Sequence, residues 1–423
     1  MDTMAAVTSR REDRQHDSRL RRVSITWAML VLNVLTPGQG SLLPIPHRIA
    51  QIITQGTLFV ALVLALSINP RMRIRPSWFL GLYTLLAITS LMMSVRLVGL
   101  GTEYRALRLI VFFFVLWLLT PWWGRYDLLI LRSHLRVLVV LLGLILLGLC
   151  ISPGKAMAGG RLSGTLWPIW PTGVAHFGGE VAGLMVLLWL CHLVSRRQAV
   201  MVIVPAMIVL VLSHTRTALT AMLVGLLVAG ASLLPTKRRV RRAFVASLLV
   251  VVLIGVPAAP FLISWAARGE NAQQLQSLTG RTHAWSAVLA VHRPITNVIF
   301  GDGLSNDSVS GSTDPYLNGL SIDSSWLSIY QDQGIVGDLL VGAIFVLLLL
   351  TALFRARGPT RALALFLIVY CLIAGINESG LGDASPYLLD LTVAASLIAF
   401  PSAIGTDLTF GPMQPDKISD REQ

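Results

Sequence analysis

Apolar residues fall in long blocks along this chain, with short polar segments between them. Most blocks are long enough to cross a hydrocarbon layer, which takes about 20 residues of helix. The pattern therefore predicts an all-α polytopic membrane protein with about twelve transmembrane helices. The predicted helices cover residues 23–43, 49–68, 77–95, 104–120, 135–151, 172–194, 199–213, 216–234, 243–265, 334–354, 361–377 and 386–404.

Basic residues are concentrated in every second loop between the predicted helices. Lys and Arg accumulate in the cytoplasmic loops of membrane proteins, so these alternate loops are predicted to be cytoplasmic. With twelve helices, this assignment places both termini in the cytoplasm. The basic residues of the predicted cytoplasmic loops are Arg71, Arg73, Arg75, Arg125, Arg132, Arg136, Arg196, Arg197, Lys237, Arg238, Arg239, Arg241, Arg242, Arg355, Arg357 and Arg361.

The predicted organisation is one transmembrane domain with a tail at each end. Residues 1–22 are predicted to form a disordered cytoplasmic tail, residues 23–404 the transmembrane domain, and residues 405–423 a C-terminal cytoplasmic tail. The longest predicted loop covers residues 266–333, between the ninth and tenth helices, on the external side. A loop of this length usually has a function. Within it, apolar residues recur at helical spacing over 277–292, which predicts a short amphipathic helix.

Composition excludes several classes of protein. With 54% hydrophobic and 13% charged residues, the chain cannot be a soluble domain of 423 residues. The formal net charge of +13 is explained by topology, so no nucleic-acid partner is predicted. The 3 cysteines lie inside apolar blocks, where a thiol behaves as a small hydrophobic group. His283 and His292 have no carboxylate or thiol at ligand spacing, so neither a metal nor another cofactor is predicted.

Short motifs lie in a fixed order from the start of the eighth predicted helix to the start of the tenth. They are His214-Thr215-Arg216-Thr217-Ala218, Gly280-Arg281-Thr282-His283-Ala284-Trp285, Pro294, Gly301-Asp302-Gly303, Asp323-Ser324-Ser325-Trp326-Leu327 and Gly334-Ile335-Val336-Gly337. In this order and spacing the chain resembles the O-antigen ligase and polymerase family over roughly residues 162–350. The first five predicted helices resemble that family in topology only.

The resemblance implies a C-type glycosyltransferase-like fold in the bacterial inner membrane, with an active site that faces the periplasm or exterior. The implied reaction moves a glycan from a polyprenyl-pyrophosphate donor to an acceptor, without a metal. A glycan acceptor would make the protein a polymerase, and another envelope acceptor would make it a ligase. Membrane lipids and a chain-length regulator are the other implied partners. Asp323 departs from the ligase pattern, since ligases carry histidine at that place and polymerase-like members often carry aspartate.

Arg216, Arg281 and Asp323 are the predicted catalytic residues. Transfer from an isoprenoid pyrophosphate needs cations for the leaving group and a base for the acceptor hydroxyl. Arginine suits the first task because its planar fork binds phosphate oxygens in pairs and stays charged. A carboxylate such as Asp323 suits the second. The alternatives are that Arg216 reaches the lipid headgroups, that Arg281 lies on a solvated face, and that Asp323 caps the following helix.

Six further residues form the predicted substrate-binding set. Arg105 and Arg108 share a helix face at the outer start of the fourth predicted helix, where anchoring at the lipid interface is the alternative. His176 and Glu180 share a face of the sixth helix, and a self-satisfied core pair is the alternative. His283 and Trp326, from the motifs above, complete the set. Two acidic residues of a short external loop, Glu378 and Asp383, are predicted to be solvated.

Two other classes of function remain open. A secondary transporter or flippase of envelope glycolipids also has many spans, but transporters of the major facilitator type contain two similar halves, and no repeat is visible in this chain. A non-enzymatic membrane assembly subunit is the second alternative. It would be favoured if substitution of Arg216, Arg281 and Asp323 left the phenotype intact.

Overall fold

The computed structural model describes residues 2–35, 47–97, 100–125, 127–235, 238–242, 246, 264, 281–304, 309, 321–356 and 358–401. Within these ranges the chain is helical, with isolated bridge residues such as Gly164 and Ile169 but no β-strand. The predicted all-α fold is therefore confirmed for the described residues. The predicted ninth helix and the C-terminal tail lie almost entirely outside them.

The described residues form fourteen α-helices and one 3₁₀ turn, Thr120–Trp122. In chain order the α-helices are α1 (Asp2–Asn33), α2 (His47–Ile68), α3 (Trp78–Leu97), α4 (Leu100–Leu119), α5 (Leu129–Ile151), α6 (Pro153–Ala156), α7 (Pro171–Leu190), α8 (Arg196–Leu212), α9 (Arg216–Leu233), α10 (Arg281–Ala290), α11 (Ile295–Phe300), α12 (Ser325–Phe354), α13 (Gly358–Asn377) and α14 (Pro386–Ile398).

Seven of the described helices are long and apolar enough to cross a membrane, so a polytopic membrane protein is confirmed. The total of twelve spans and the position of the termini stay predictions. Two shorter apolar helices, Ile52–Ile68 and Pro386–Ile398, also match predicted spans. The seven long segments are Trp78–Arg96, Arg105–Trp122, Leu129–Ile151, Pro171–Leu190, Arg216–Leu233, Ser325–Phe354 and Gly358–Asn377.

Local sequence signals set several helix starts. Proline occupies the first turn of α7 and of α14, where its missing N–H costs no hydrogen bond. At the start of α8, the Ser195 side chain accepts a hydrogen bond from the Gln198 N–H, and the Gln198 side chain accepts one from the Ser195 N–H. This reciprocal cap satisfies two backbone donors that have no partner within the helix.

α7 lies at the centre of the helical bundle and packs against α5, α8, α9 and α13. Small residues allow this close approach. A Cβ atom on Gly183 of α7 or on Gly225 of α9 would overlap the ring of Phe366 in α13. Interfaces between membrane helices use small residues in this way because lipid provides no hydrophobic force that favours helix association.

Gly334 bends α12 but does not begin it. The sequence predicted a helix from residue 334, whereas α12 begins at Ser325 and contains a break at Gly334, which has φ +66°. A side chain at this glycine would collide with the backbone of Ile299. The first part of α12 supports the external loop, since the Asp302 and Gly303 N–H groups donate to carbonyl groups of that part.

Two other predicted elements differ from the structure. α1 begins at Asp2, so residues 2–22 are helical where a disordered tail was predicted, and this segment contains six arginines, which favour helix. The predicted amphipathic helix over 277–292 appears as α10. Ala284 and Val288 are buried as expected, but Leu289, predicted on the apolar face, is exposed.

The predicted topology can be tested by thiol labelling. In a background in which the exposed Cys150 is replaced by serine, Ser286→Cys should react with a membrane-impermeant reagent in intact cells. Pro235→Cys, which follows α9 on the opposite side, should react only after permeabilisation. Labelling in the reverse order would place α10 in the cytoplasm and would overturn the predicted topology.

Candidate active site

A cavity of about 660 Å³ opens between the first turns of α7, the first part of α12, the end of α1 and the loop between α13 and α14. The predicted topology puts this end of the bundle on the external side. Ionisable side chains of both signs line the cavity, which is unusual next to apolar membrane helices. They are Arg105, Arg161, His176, Asp323, Asp332, Glu378 and Asp383.

Arg281 and Asp323 are in direct contact. Arg281 Nε donates to Asp323 Oδ2 at 3.2 Å, and the Ser321 hydroxyl donates to Asp323 Oδ1 at 2.8 Å. Both carboxylate oxygens therefore accept hydrogen bonds. The side chain of Ser324, the N-cap residue of α12, makes no capping hydrogen bond with the backbone of the helix. The contacts of Asp323 thus orient the Arg281 guanidinium, and they do not support the capping alternative.

Glu378 lies on the other side of the same guanidinium. Its Oε1 is 3.8 Å from Arg281 Nη2, and its side chain is only 15% exposed. Burial raises the pKa of Glu378 to about 7, against the charge of Arg281 and with a further increase from Asp323. The sequence predicted a solvated side chain, and this prediction is wrong. The loop that carries Glu378 folds over the start of α12, a tertiary contact that local sequence cannot reveal.

Asp383, in the same loop, pairs with α4. Arg105 Nε and Nη2 each lie 2.8 Å from Asp383 Oδ2. Burial alone would raise the pKa of Asp383, but the charges of Arg105 and Arg108 and the hydrogen bonds from Arg105 and the Ala384 N–H hold it below its ordinary value. Arg105 thus lines the cavity as a paired residue, whereas lipid anchoring was the alternative. Arg108 points to the same loop, with Nη2 3.5 Å from the Ala384 carbonyl oxygen.

Arg161 is a cavity cation that the sequence did not single out. Its Nε donates to the Ser213 carbonyl at 3.1 Å, and its Nη2 donates to Thr215 Oγ1 at 2.9 Å. These bonds tie the loop before α7 to the turn between α8 and α9. Arg216 follows at the first position of α9, where it is half-buried. Arg161 and the predicted phosphate-binding Arg216 therefore flank the same turn.

The family comparison bears on this part of the chain. Residues 199–342 match the model of the O-antigen ligase family. The chain is similar to that family over these residues. The resemblance inferred from the motifs is thereby confirmed, and it indicates a glycosyltransferase-like enzyme of the membrane. Comparison with curated proteins gives no match.

The ligase match covers only part of the cavity. Asp323 lines the cavity inside residues 199–342, whereas Arg105 and Glu378 line it outside them. Arg216 and Arg281 also fall inside the match but do not line the cavity. The roles of the residues outside the match therefore rest on geometry alone.

Six predicted site residues do not line the cavity: Arg281, Arg108, Glu180, Arg216, His283 and Trp326. Arg281 contacts the cavity residues Asp323 and Glu378, and Arg216 follows Thr215, to which the cavity residue Arg161 is hydrogen-bonded. His283 is exposed on α10, two residues from Arg281 and hence on a different face of that helix. Trp326 packs against the transmembrane core, with its ring 6.0 Å from that of Phe345. Their predicted roles in substrate binding and catalysis stay predictions.

A second group of ionisable residues lies deeper, within the bundle. His134 Nε2 is 2.7 Å from Glu180 Oε1 and 3.3 Å from Asp390 Oδ1, and His176 Nε2 is 3.0 Å from Asp390 Oδ2. All four side chains are buried, and only His176 reaches the cavity. His176 and Glu180, which are 3.8 Å apart, are therefore held mainly by residues of α5 and α14. His134 and Asp390 were missed, although each is a polar residue inside an apolar span, a pattern that marks functional candidates.

The atoms of this deeper group have the spacing of a cation site, but the hydrogen bond to His134 does not fit a bound metal. Ligand-type atoms of His134, Glu180 and Asp390 lie within 4.8 Å of one another. However, Trp27 Nε1 donates to His134 Nδ1 at 3.2 Å. That bond requires a bare Nδ1, so in neutral imidazole the proton is on Nε2. A metal at Nε2 would need the opposite tautomer, and the group therefore suits proton sharing between imidazole and carboxylate.

The deeper group should be essential for stability. Asp390→Ala removes the carboxylate that pairs with two buried histidines, and breaking a buried pair typically costs about 3–5 kcal/mol. We expect a marked fall in the thermal unfolding midpoint of the detergent-solubilised protein. Asp127→Ala is the matched control, since Asp127 pairs with Arg125 near the surface and such pairs are typically worth about 0–1 kcal/mol. Equal losses in the two variants would contradict this role.

Proposed function

We propose that this protein transfers a glycan from a polyprenyl-pyrophosphate donor to an acceptor at the external face of the bacterial inner membrane. The observation that carries the proposal is the cavity, in which cations and carboxylates meet beside a segment that matches the ligase family. An anionic leaving group requires the cations, and an acceptor hydroxyl requires a base. Both kinds of side chain are present within one cavity.

Arg281 is the proposed primary pyrophosphate-binding residue. Asp323 fixes its guanidinium through Nε, while the 3.8 Å separation from Glu378 is longer than a hydrogen bond. The Nη side of the guanidinium is therefore oriented but not hydrogen-bonded to Glu378. Pre-oriented donors of this kind stabilise developing charge without reorganisation during the reaction. Arg161, which lines the cavity, and Arg216, at the start of α9, are proposed to add positive charge.

The acceptor is proposed to be another glycan, which makes the protein a polymerase. This choice rests on Asp323, because the resemblance gives polymerase-like members an aspartate where ligases have histidine. A ligase reaction on a different envelope acceptor would use the same cavity. The reaction is proposed to be metal-independent, with the C-type glycosyltransferase-like fold that the resemblance implies.

A proton-coupled transporter is the second candidate. The deeper histidine and carboxylate group favours it, since such residues inside a membrane often relay protons. Lipid and glycan profiling of a deletion strain separates the two functions. Loss of a transferase should cause polyprenyl-linked glycan to accumulate on the external side, with the transferred product missing. Loss of a flippase should cause the same lipid to accumulate on the cytoplasmic side.

Arg281→Lys tests the role of the guanidinium. Lysine keeps the charge but loses the planar fork, so transfer should fall by about a hundredfold, which is the usual loss on removing one fixed donor to transition-state charge. The measurement is the initial rate of glycan transfer in proteoliposomes. Arg125→Lys, at the cytoplasmic end of the bundle, is the control and should transfer normally. If Arg281→Ala inserts correctly and keeps the wild-type rate, Arg281 does not bind the pyrophosphate.

A further inference from the structure

Glu378 and Asp323 flank Arg281 but differ in how their oxygens are occupied. Asp323 uses one oxygen for Arg281 Nε and the other for the Ser321 hydroxyl. Glu378 Oε1, in contrast, is buried and accepts no hydrogen bond from any residue that the structure describes. A buried acceptor without a donor is costly, so its presence in a cavity indicates an incoming donor. An acceptor hydroxyl is a donor of the required kind.

The backbone around Glu378 is firmly held. The Ser325 hydroxyl donates to the Glu378 carbonyl at 2.6 Å and accepts from the Leu381 N–H at 3.3 Å. Further along the loop, Gln333 Nε2 donates to the Gly382 carbonyl at 3.1 Å. The start of α12 therefore holds both Asp323 and the Glu378 loop, so the two carboxylates and Arg281 keep a fixed arrangement.

We propose that Glu378 is the general base of the reaction and that Asp323 is a positioning residue for Arg281. This inference rests on the proposed glycan transfer and goes beyond it, because Glu378 lies outside the matched segment. Sequence reasoning had offered Asp323 as the base and had left Glu378 in solvent. The geometry points to the opposite assignment. Glu378, the buried carboxylate, faces the acceptor, and Asp323, the hydrogen-bonded carboxylate, orients Arg281.

The proposed step balances as follows. Glu378 Oε1 takes the proton of the acceptor hydroxyl while the acceptor oxygen forms a bond to the anomeric carbon of the donor sugar. The bond between that carbon and the pyrophosphate oxygen breaks, and the electron pair leaves with polyprenyl pyrophosphate. Arg281 stabilises the negative charge on the leaving oxygen. Protonated Glu378 then releases its proton to water in the cavity.

The electrostatic surroundings suit this role. Burial favours the neutral form of Glu378 and raises its pKa to about 7, so the ionised form is a stronger base than an ordinary carboxylate. Arg281, Arg161 and His176 oppose this shift, and Asp323 adds to it. A base whose pKa is near the working pH combines availability with strength.

The test is the pH dependence of transfer by the full-length protein in proteoliposomes. The wild-type rate should rise with pH and level off above about pH 7, as Glu378 loses its proton. Glu378→Gln has nearly the same volume but cannot take up a proton, so the rate should fall by about 10²- to 10⁴-fold and the rise with pH should disappear. Asp127→Asn, an acid outside the cavity, is the matched control and should keep both the rate and the profile.

Asp323→Asn distinguishes the roles of the two carboxylates without a substitution at Glu378. Loss of the Asp323 charge lowers the pKa of Glu378, because that charge raises it in the wild type. The rise of the rate with pH should therefore persist but move to lower pH, together with a reduced maximal rate from the less well oriented Arg281. A rise that disappears in this variant would identify Asp323 as the base, and a rise that does not move would exclude a titrating group beside it. Either result overturns the assignment.

The outcomes also separate this inference from the proposed function. Wild-type protein that transfers glycan, with Glu378→Gln equal to it in rate and profile, would overturn the assignment of Glu378 and leave the function intact. Wild-type protein that forms no glycosidic bond from a polyprenyl-pyrophosphate glycan would overturn the function itself and the assignment with it.

Discussion

An ionised side chain in or against a hydrocarbon layer needs a partner, because leaving it unpaired costs several kcal/mol. This constraint organises the end of the bundle that contains the cavity. Arg105 of α4 is paired with Asp383, and Arg281 of α10 is paired with Asp323. Each pair joins a helix to a loop or to the start of another helix. The charges at and beside the cavity are thus also the contacts that shape it, and a substitution that removes one of them alters its geometry.

The backbone also holds the loop residues in a fixed position. Gly334 allows α12 to bend close to the backbone of Ile299, and Gly301 lies in the same tight contact with α12. Any side chain at either glycine would push the external loop away from α12. Because Asp323 precedes α12 and Ser325 holds the Glu378 carbonyl, that displacement would move both carboxylates relative to Arg281. The glycines therefore contribute to the site without lining it.

The sequence was sufficient for features that depend on short-range pattern. Apolar blocks predicted the spanning helices, and the ordered motifs predicted that Arg281 and Asp323 belong to one site. Contacts between segments that are distant in the chain could not be predicted from the sequence. Arg105 and Asp383 are 278 residues apart, and the partners of His176 and Glu180 lie on two other helices. Helical geometry alone argues against a place for His283 beside Arg281, since residues two positions apart lie on different faces of a helix.

The ionisable residues form two groups with different chemistry. At the cavity, arginines balance the carboxylates, and an arginine stays charged at any working pH. In the deeper group, the basic partners of Glu180 and Asp390 are His134 and His176, and the Cys371 thiol also contacts Asp390. Their balance therefore depends on protons shared with imidazole, and the Trp27 hydrogen bond fixes the tautomer of one histidine. Because His176 also lines the cavity, this group of histidines and carboxylates borders the space in which Arg105 and Arg161 lie.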